Sequence, residues 1–424
     1  MSRTFLLLGL VALAVAVLSV GAAGHPPPPA LDDDTSPALL GEQPTRVVNV
    51  ANTTNYLFPD TNPDRQEYVR ASVDVGSAVD TSATQLEGAH RTETFDRRLA
   101  SQSDDADRKL AVVEQTVADA EARMARLNAT QESLYRSYND GTLSRQQFLR
   151  QLVQLEVRAT EYQRYLDRVE ASAESEFGNS LPVSLENRFS RLQSNVATLP
   201  APLSQRVRES VVGNAEPLVV YTEGADDALV LATVDGPTFR RQATLLSEHQ
   251  PGAPDQFEEG DQQAIAQVVE RTTELYPWAY SNDQQFSRRI ESAGPTTSIY
   301  RIEADHPQGS LSSYLSGSTT NAFHEIQTLD PTEIPVYRTV SNETADLNLT
   351  VTTTTESGPM RVNLSTPGGI TQNGTVLVDG QPVGTTGDDG RLWTVRPSGS
   401  FTLTAASENG TEVSLRRTQF IRSG

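Results

Sequence analysis

Residues 110–169 read LAVVEQTVADAEARMARLNATQESLYRSYNDGTLSRQQFLRQLVQLEVRATEYQRYLDRV, and their periodicity decides the architecture of the chain. Leu110, Val113, Val117, Ala120, Met124, Leu127, Leu134 and Tyr138 step by threes and fours, with Gln131 filling one polar position of the seam. Phe148, Leu152, Leu155, Ala159, Tyr162, Leu166 and Val169 continue the rhythm. Apolar residues at this spacing form one stripe along an α-helix. Between the stripes, residues 139–143 (NDGTL) break the pattern, and Ser144 with Gln147 three residues on makes a capping box. Two long amphipathic helices joined by five residues must fold back on each other. The Asn-Asp-Gly turn fails as a calcium loop, because Gly141 at the sixth position makes Arg136 the first ligand.

Outward from this hairpin, Leu185, Phe189, Leu192, Val196 and Leu199 form a third stripe between Pro182 and Pro200. Proline suits a helix start and not its interior, so the pair brackets a third helix. A helical domain over residues 91–214 follows, as a hairpin with one helix packed on it or a three-helix bundle. Residues 45–90 are mixed: 46–51 (RVVNVA) read as a short strand, and 68–80 are apolar at no single period. Residues 215–335 alternate as strands at 218–222, 228–234, 298–304, 311–315 and 322–329. One amphipathic helix is marked there by Ile265, Val268, Val269, Thr272, Leu275 and Tyr276 and ended by Pro277. That is a two-layer α+β domain. Residues 341–424 hold short β segments at near-regular turn spacing, predicting a small antiparallel sandwich. The fold class is multidomain α+β.

Composition narrows the chemistry. The 424 residues include 34 bases against 55 acids, no cysteine, and a net charge of −21, of which −13 falls in residues 215–335. Absent cysteine removes disulfides, thiolate metal sites and cysteine nucleophiles. The acidic surplus argues against a nucleic-acid partner, which needs a basic face. Lys109 is the sole lysine, so there is no phosphate-binding Gly-Lys loop. Many carboxylates with almost no ammonium groups suit concentrated salt, where a Debye length of roughly 3 Å at 1 M weakens self-repulsion.

At the N-terminus Arg3 precedes the apolar run 5–20 and the small residues 21–24. This order reads as a signal peptide over residues 1–24, with a retained anchor as the alternative and the only route to a membrane. A Pro/Asp-rich spacer over residues 25–44 comes next. Secretion makes the Asn-x-Ser/Thr sequons glycosylation candidates: Asn52, Asn128, Asn342, Asn348, Asn363, Asn373 and Asn409.

The tests for catalysis return no catalytic, cofactor-binding or metal residues, and no cofactor. His324-Glu325 lacks a second histidine four residues on, and no Gly-x-Ser-x-Gly elbow occurs. His306 and His324 stand to approach each other across a predicted hairpin, with polar surface residues as the ordinary reading. Residues 275–280 (LYPWAY) read as aromatics closing a core past a helix end, and Asp388-Asp389-Gly390 as a turn.

Three stretches carry resemblances. Residues 374–406, GTVLVDGQPVGTTGDDGRLWTVRPSGSFTLTAA, resemble the carboxypeptidase-regulatory or transthyretin-like β-sandwich modules of surface proteins. Their pattern is a strand ending in Asp-Gly, a Gly-Thr-Thr turn, an Asp-Gly turn and a strand after Pro-x-Gly. The resemblance implies a spacer or adhesion unit. Residues 298–329, SIYRIEADHPQGSLSSYLSGSTTNAFHEIQTL, are similar to the hairpin of extracellular PepSY-like domains found beside secreted peptidases. Gly317-Ser318-Thr319 stands where those domains usually carry an acid. The leader, YNDGTLS at 138–144, LYPWAY and the terminal sandwich together resemble uncharacterised secreted multidomain proteins of halophilic archaea.

The expectation is a secreted or cell-surface, non-enzymatic structural or interaction protein adapted to high salt. Its partner is a protein met through the helical hairpin or the acidic middle domain. The alternative is an accessory protein, inhibitor or chaperone-like, of an extracellular peptidase.

Overall fold

The computed structural model describes residues 46–59, 63–102, 105–178, 181–199, 201–257, 261–283, 290–292 and 298–417. The leader read at residues 1–24 and the spacer at 25–44 lie outside these described residues. Helices α1 (Val75–Ala100), α2 (Ala106–Asn139), α3 (Arg145–Phe177), α4 (Val183–Ala197) and α5 (Pro202–Val212) form one bundle. The seam residues of α2 and α3 are buried, with Leu110 packed half-buried against the same core. Each fully buried Leu, Val or Phe stabilises by about 1.5–3 kcal/mol, so α1, α4 and α5 hold the hairpin closed within the chain. The capping box forms: Ser144 N–H donates to Gln147 Oε1 at 3.0 Å and Gln147 N–H to Ser144 Oγ at 3.4 Å.

Helix α1 begins at Val75, well before the heptad pattern. Its buried face is Ser77, Thr81, Gly88, Phe95 and Leu99, mostly small or polar residues that an apolar count passes over. A Cβ at Gly88 would stand 2.9 Å from Glu161 Oε2, so the missing side chain is what lets α1 lie close against α3.

Eight antiparallel strands make the central sheet in the order β3-β4-β5-β6-β10-β9-β8-β7. They are β3 (Arg65–Ala71), β4 (Leu218–Ala225), β5 (Ala228–Asp235), β6 (Thr238–Leu245), β7 (Ile290–Ser292), β8 (Ile299–His306), β9 (Gly309–Ser316) and β10 (Ala322–Leu329). Strand β3 comes from the mixed N-terminal segment and pairs with β4, so the sheet spans two of the segments read from sequence. Two meanders of eight-residue strands, β4-β5-β6 and β8-β9-β10, meet through their third strands. Aligning those strands from Thr238 and Ala322 makes Gln242 and Ile326 counterparts, and they are also direct cross-strand partners.

Alternation gives the sheet two faces. Val69, Ala71, Val220, Leu229 and Leu231 face the helical bundle. On the other face, Val230, Ala243, Leu245, Tyr300, Ile302 and Leu311 pack against α6 (Asp261–Leu275) and α7 (Pro277–Ser281). Leu275, Tyr276, Ala279 and Tyr280 of the LYPWAY cluster are buried there. Tyr68, Tyr221, Ala232 and Phe239 on that face share a core with the C-terminal sandwich.

The sandwich has sheets β11-β12-β13-β16 and β15-β14-β17-β18. Its strands are β11 (Arg338–Glu343), β12 (Asn348–Thr353), β13 (Pro359–Ser365), β14 (Gly374–Val378), β15 (Gln381–Thr385), β16 (Arg391–Val395), β17 (Phe401–Ser407) and β18 (Glu412–Arg417). Buried polar contacts weld it to the central sheet. Tyr68 Oη donates to the Val395 carbonyl at 2.5 Å, Tyr221 Oη to Glu223 Oε2 at 2.8 Å, and Ser398 Oγ also donates to Glu223. Asp388-Asp389-Gly390 is a turn, with Gly390 at φ +67° and Asp389 Oδ1 accepting the Arg391 N–H at 3.0 Å.

Candidate functional site

A two-stranded hairpin, β1 (Val47–Val48) and β2 (Tyr56–Leu57), lies on the α6 face of the sheet. Its loop is fixed by buried polar side chains. Thr53 Oγ1 donates to Gln308 Oε1 at 2.5 Å, Gln308 Nε2 to the Asn52 carbonyl at 3.1 Å, and Asn55 Nδ2 to the Leu275 carbonyl at 2.7 Å. These bonds satisfy Thr53, Asn55 and Gln308 as they leave water, whereas the buried Tyr56 hydroxyl has no hydrogen-bond partner.

Beneath the hairpin sits an ion pair with no side-chain exposure, Arg241 of β6 and Glu325 of β10. Arg241 Nη1 donates to Glu325 Oε1 at 2.9 Å, Nη2 to the Leu57 carbonyl at 2.7 Å and Nε to Ser357 Oγ at 3.1 Å. Glu325 Oε2 accepts the Leu57 N–H at 2.9 Å and Tyr276 Oη at 2.8 Å. Burial pushes the Glu325 carboxyl up, and Arg241, Tyr276 and Leu57 work against that by donating to the ionised form. The guanidinium carbon of Arg241 lies 4.8 Å from the Phe58 ring centroid and 5.2 Å from that of Tyr56.

The outer surface of this assembly is a cleft of about 410 Å³. Phe58, Val48 and buried Ile334 line it with apolar surface, and Asn49 and Asn52 of the hairpin loop form one wall. Tyr337 and Val336, 66 % and 57 % exposed, stand on the linker from β10 into the sandwich. Thr355, Glu356 and Arg396 come from the sandwich, with Arg396 Nη2 3.7 Å from Glu356 Oε1. Burial lowers the Arg396 guanidinium from its ordinary value while Glu356 opposes the shift. An apolar floor with a few placed polar groups is the makeup of ligand sites. The arrangement suits a ligand that stacks on an aromatic ring and offers hydrogen-bonding groups to Asn49, Asn52 and Thr355.

The sequon asparagines are dispersed. Asn52 is exposed at φ +59° on the cleft wall, and Asn409 is exposed in the β17–β18 turn. Asn342 is exposed on β11, but its Nδ2 donates to the Ser414 carbonyl at 2.7 Å. Asn373 Nδ2 donates to Glu408 Oε1 at 2.9 Å. Asn128 within α2, Asn348 on β12 and Asn363 on β13 are half-buried.

His306 and His324 do not meet. His306 shares the α6 face with Trp278, at 5.2 Å between ring centroids, whereas His324 faces the bundle side beside Thr244. Its Nδ1 is 2.8 Å from Thr244 Oγ1. Sequence reading missed the Arg241–Glu325 pair because an inward arginine breaks the apolar alternation of TFRRQATL at 238–245. Phe239, Arg241, Ala243 and Leu245 do alternate inward, and that period was the available signal.

Among the described residues no helix is long and apolar enough to cross a membrane. No curated protein and no solved structure matches the chain. Family models match three consecutive stretches. Residues 1–216 match a domain of unknown function, DUF7096, and residues 220–335 match a family of unknown function, DUF7094. Residues 338–414 match an archaeal fibronectin-III type-like domain, which fits the sandwich seen here. Since the first model spans half of the 424 residues, the chain belongs to the family of proteins carrying the DUF7096 domain.

Proposed function

We propose that this is a secreted or cell-surface, non-enzymatic interaction protein adapted to high salt, and that the junction cleft is where it takes its ligand. The observation that carries the reading is the cleft's construction. Hairpin loop, linker and sandwich each supply part of its lining; Arg241 ties the hairpin to the sandwich, and the Tyr337 N–H donates to the Thr353 carbonyl at 2.9 Å to hold the linker. Such a site is preorganised, so little ordering cost opposes binding. The seam of the helical hairpin is filled inside the chain, so a partner meeting the bundle uses its outer surface.

The test is recovery of surface material from the native host at molar salt, using the full chain and a Tyr337→Ala variant. A component retained by the first and lost by the second supports the reading, and equal recovery refutes it.

The accessory reading is supported by helix α6 followed by the β8-β9-β10 meander, the PepSY-like segment. Its bundle-side residues Arg301, Glu303, Ser312 and Ile326 are only partly covered. Inhibition of a co-purified secreted peptidase by the full chain would favour it.

A further inference from the structure

Positive charge is scarce on this chain, yet three arginines line one cavity of about 360 Å³ on the helical bundle. Arg91 and Arg98 come from α1 and Arg123 from α2, with Phe95 of α1 and Tyr165 of α3 also in the lining. Two acids line it as well. Glu87 is engaged by Arg91 at 2.5 Å, and Asp119 Oδ1 accepts from Gln115 Nε2 at 3.0 Å. Arg91 also lies over the Tyr165 ring, 5.8 Å from its centroid.

Arg98 and Arg123 are left: among the described residues neither guanidinium has a carboxylate within 4.0 Å. What sets these two apart from other surface arginines is that they line one cavity together with a third, Arg91. Arg123 is half-buried, and its guanidinium is lowered from the ordinary value by burial first, then by repulsion from Arg91. Three guanidinium groups against the two carboxylates of the lining leave the groove a surplus of positive charge, which an anion can meet. The planar guanidinium fork matches the oxygens of a tetrahedral oxyanion, and the Tyr165 ring closes one side.

We infer that the groove between α1 and α2 binds a sulfate- or phosphate-class oxyanion through Arg98 and Arg123, with Arg91 oriented by Glu87 as the third positive group. The ion is either free or an ester group on a larger molecule such as a sulfated saccharide. This site is separate from the junction cleft and does not depend on it.

The test is equilibrium dialysis of the full chain with labelled sulfate and with inorganic phosphate, replacing sodium chloride at constant ionic strength so that general screening cancels. A parallel arm offers sulfated dextran. Saturable binding of either probe that weakens at least tenfold in Arg98→Gln/Arg123→Gln supports the site. The arm that binds more tightly identifies free ion or ester as the source. Arg188→Gln, which removes a guanidinium paired with Glu121 on the bundle surface, leaves the binding unchanged. No saturable binding in either arm, or equal binding by the double variant, overturns the inference. Single Arg98→Gln at an exposed position gives the same reading, as a several-fold loss, should the double variant not fold.

Discussion

Arg241 and Glu325 occupy counterpart positions in the two meanders and bond to each other at 2.9 Å, one residue from the Gln242–Ile326 pair where the third strands cross. Both side chains are wholly buried, and Arg241 alone joins hairpin, sheet and sandwich through Leu57, Glu325 and Ser357. Removing one member leaves an uncompensated charge. Arg241→Met or Glu325→Leu is expected to cost about 3–5 kcal/mol in denaturant unfolding, and the double variant to recover part of that loss. Additive single losses would show that the two residues are not coupled.

Two buried histidines, His306 and His324, and the half-buried His249 set the acid limit. Burial holds His249, His306 and His324 each at about 4, below the ordinary value of 6.5. The unfolded chain therefore binds more protons than the folded one between these values, so stability is complete above pH 6.5 and declines as pH falls towards 4. For fully buried His324 the loss is on the order of 3 kcal/mol. His324→Gln is expected to flatten the pH dependence of the unfolding midpoint. An unchanged slope would remove His324 from this account.

Salt acts oppositely on a chain of net charge −21. Screening weakens repulsion among the carboxylates of residues 215–335, so the thermal midpoint is expected to climb as sodium chloride rises from 0.1 to 3 M. A flat or falling midpoint counts against adaptation to salt.

At Gly309 the backbone has φ +139°, and a Cβ would lie 2.1 Å from the Thr328 carbonyl oxygen. Gly309→Ala should destabilise by about 2–4 kcal/mol, from backbone strain and displacement of β10. Gly410→Ala, at φ +82° with open space around it, should lose only about 1 kcal/mol. Equal losses would mean that the contact with Thr328 is immaterial.

Glycan occupancy should follow exposure of the acceptor amide. In protein from the native host, site-specific mass spectrometry is expected to find sugar on Asn52 and Asn409, and none on half-buried Asn348 and Asn363. Sugar on either strand residue contradicts that ordering.

The helical hairpin was legible because the period of its apolar residues is a local property, as is the Ser144–Gln147 cap. The sandwich was legible for the same reason, through turn residues at short spacing. Helix α1 was hidden because close packing at Gly88 requires an absent side chain, which leaves no apolar signal. Strand β6 was hidden because Arg241 points inward, tolerable only with Glu325 supplied from far along the chain. Sequence alone determined the α2–α3 hairpin, the strands of the sandwich and where the negative charge lies. Tertiary structure decided that the segments matching DUF7096 and DUF7094 share one sheet through β3 and β4, because unsatisfied edge N–H and C=O groups pair with whichever strand the fold delivers. It also decided the junction cleft, whose lining comes from residues 48–53, Phe58, residues 334–337 and 354–356 and Arg396 and so exists only after they meet.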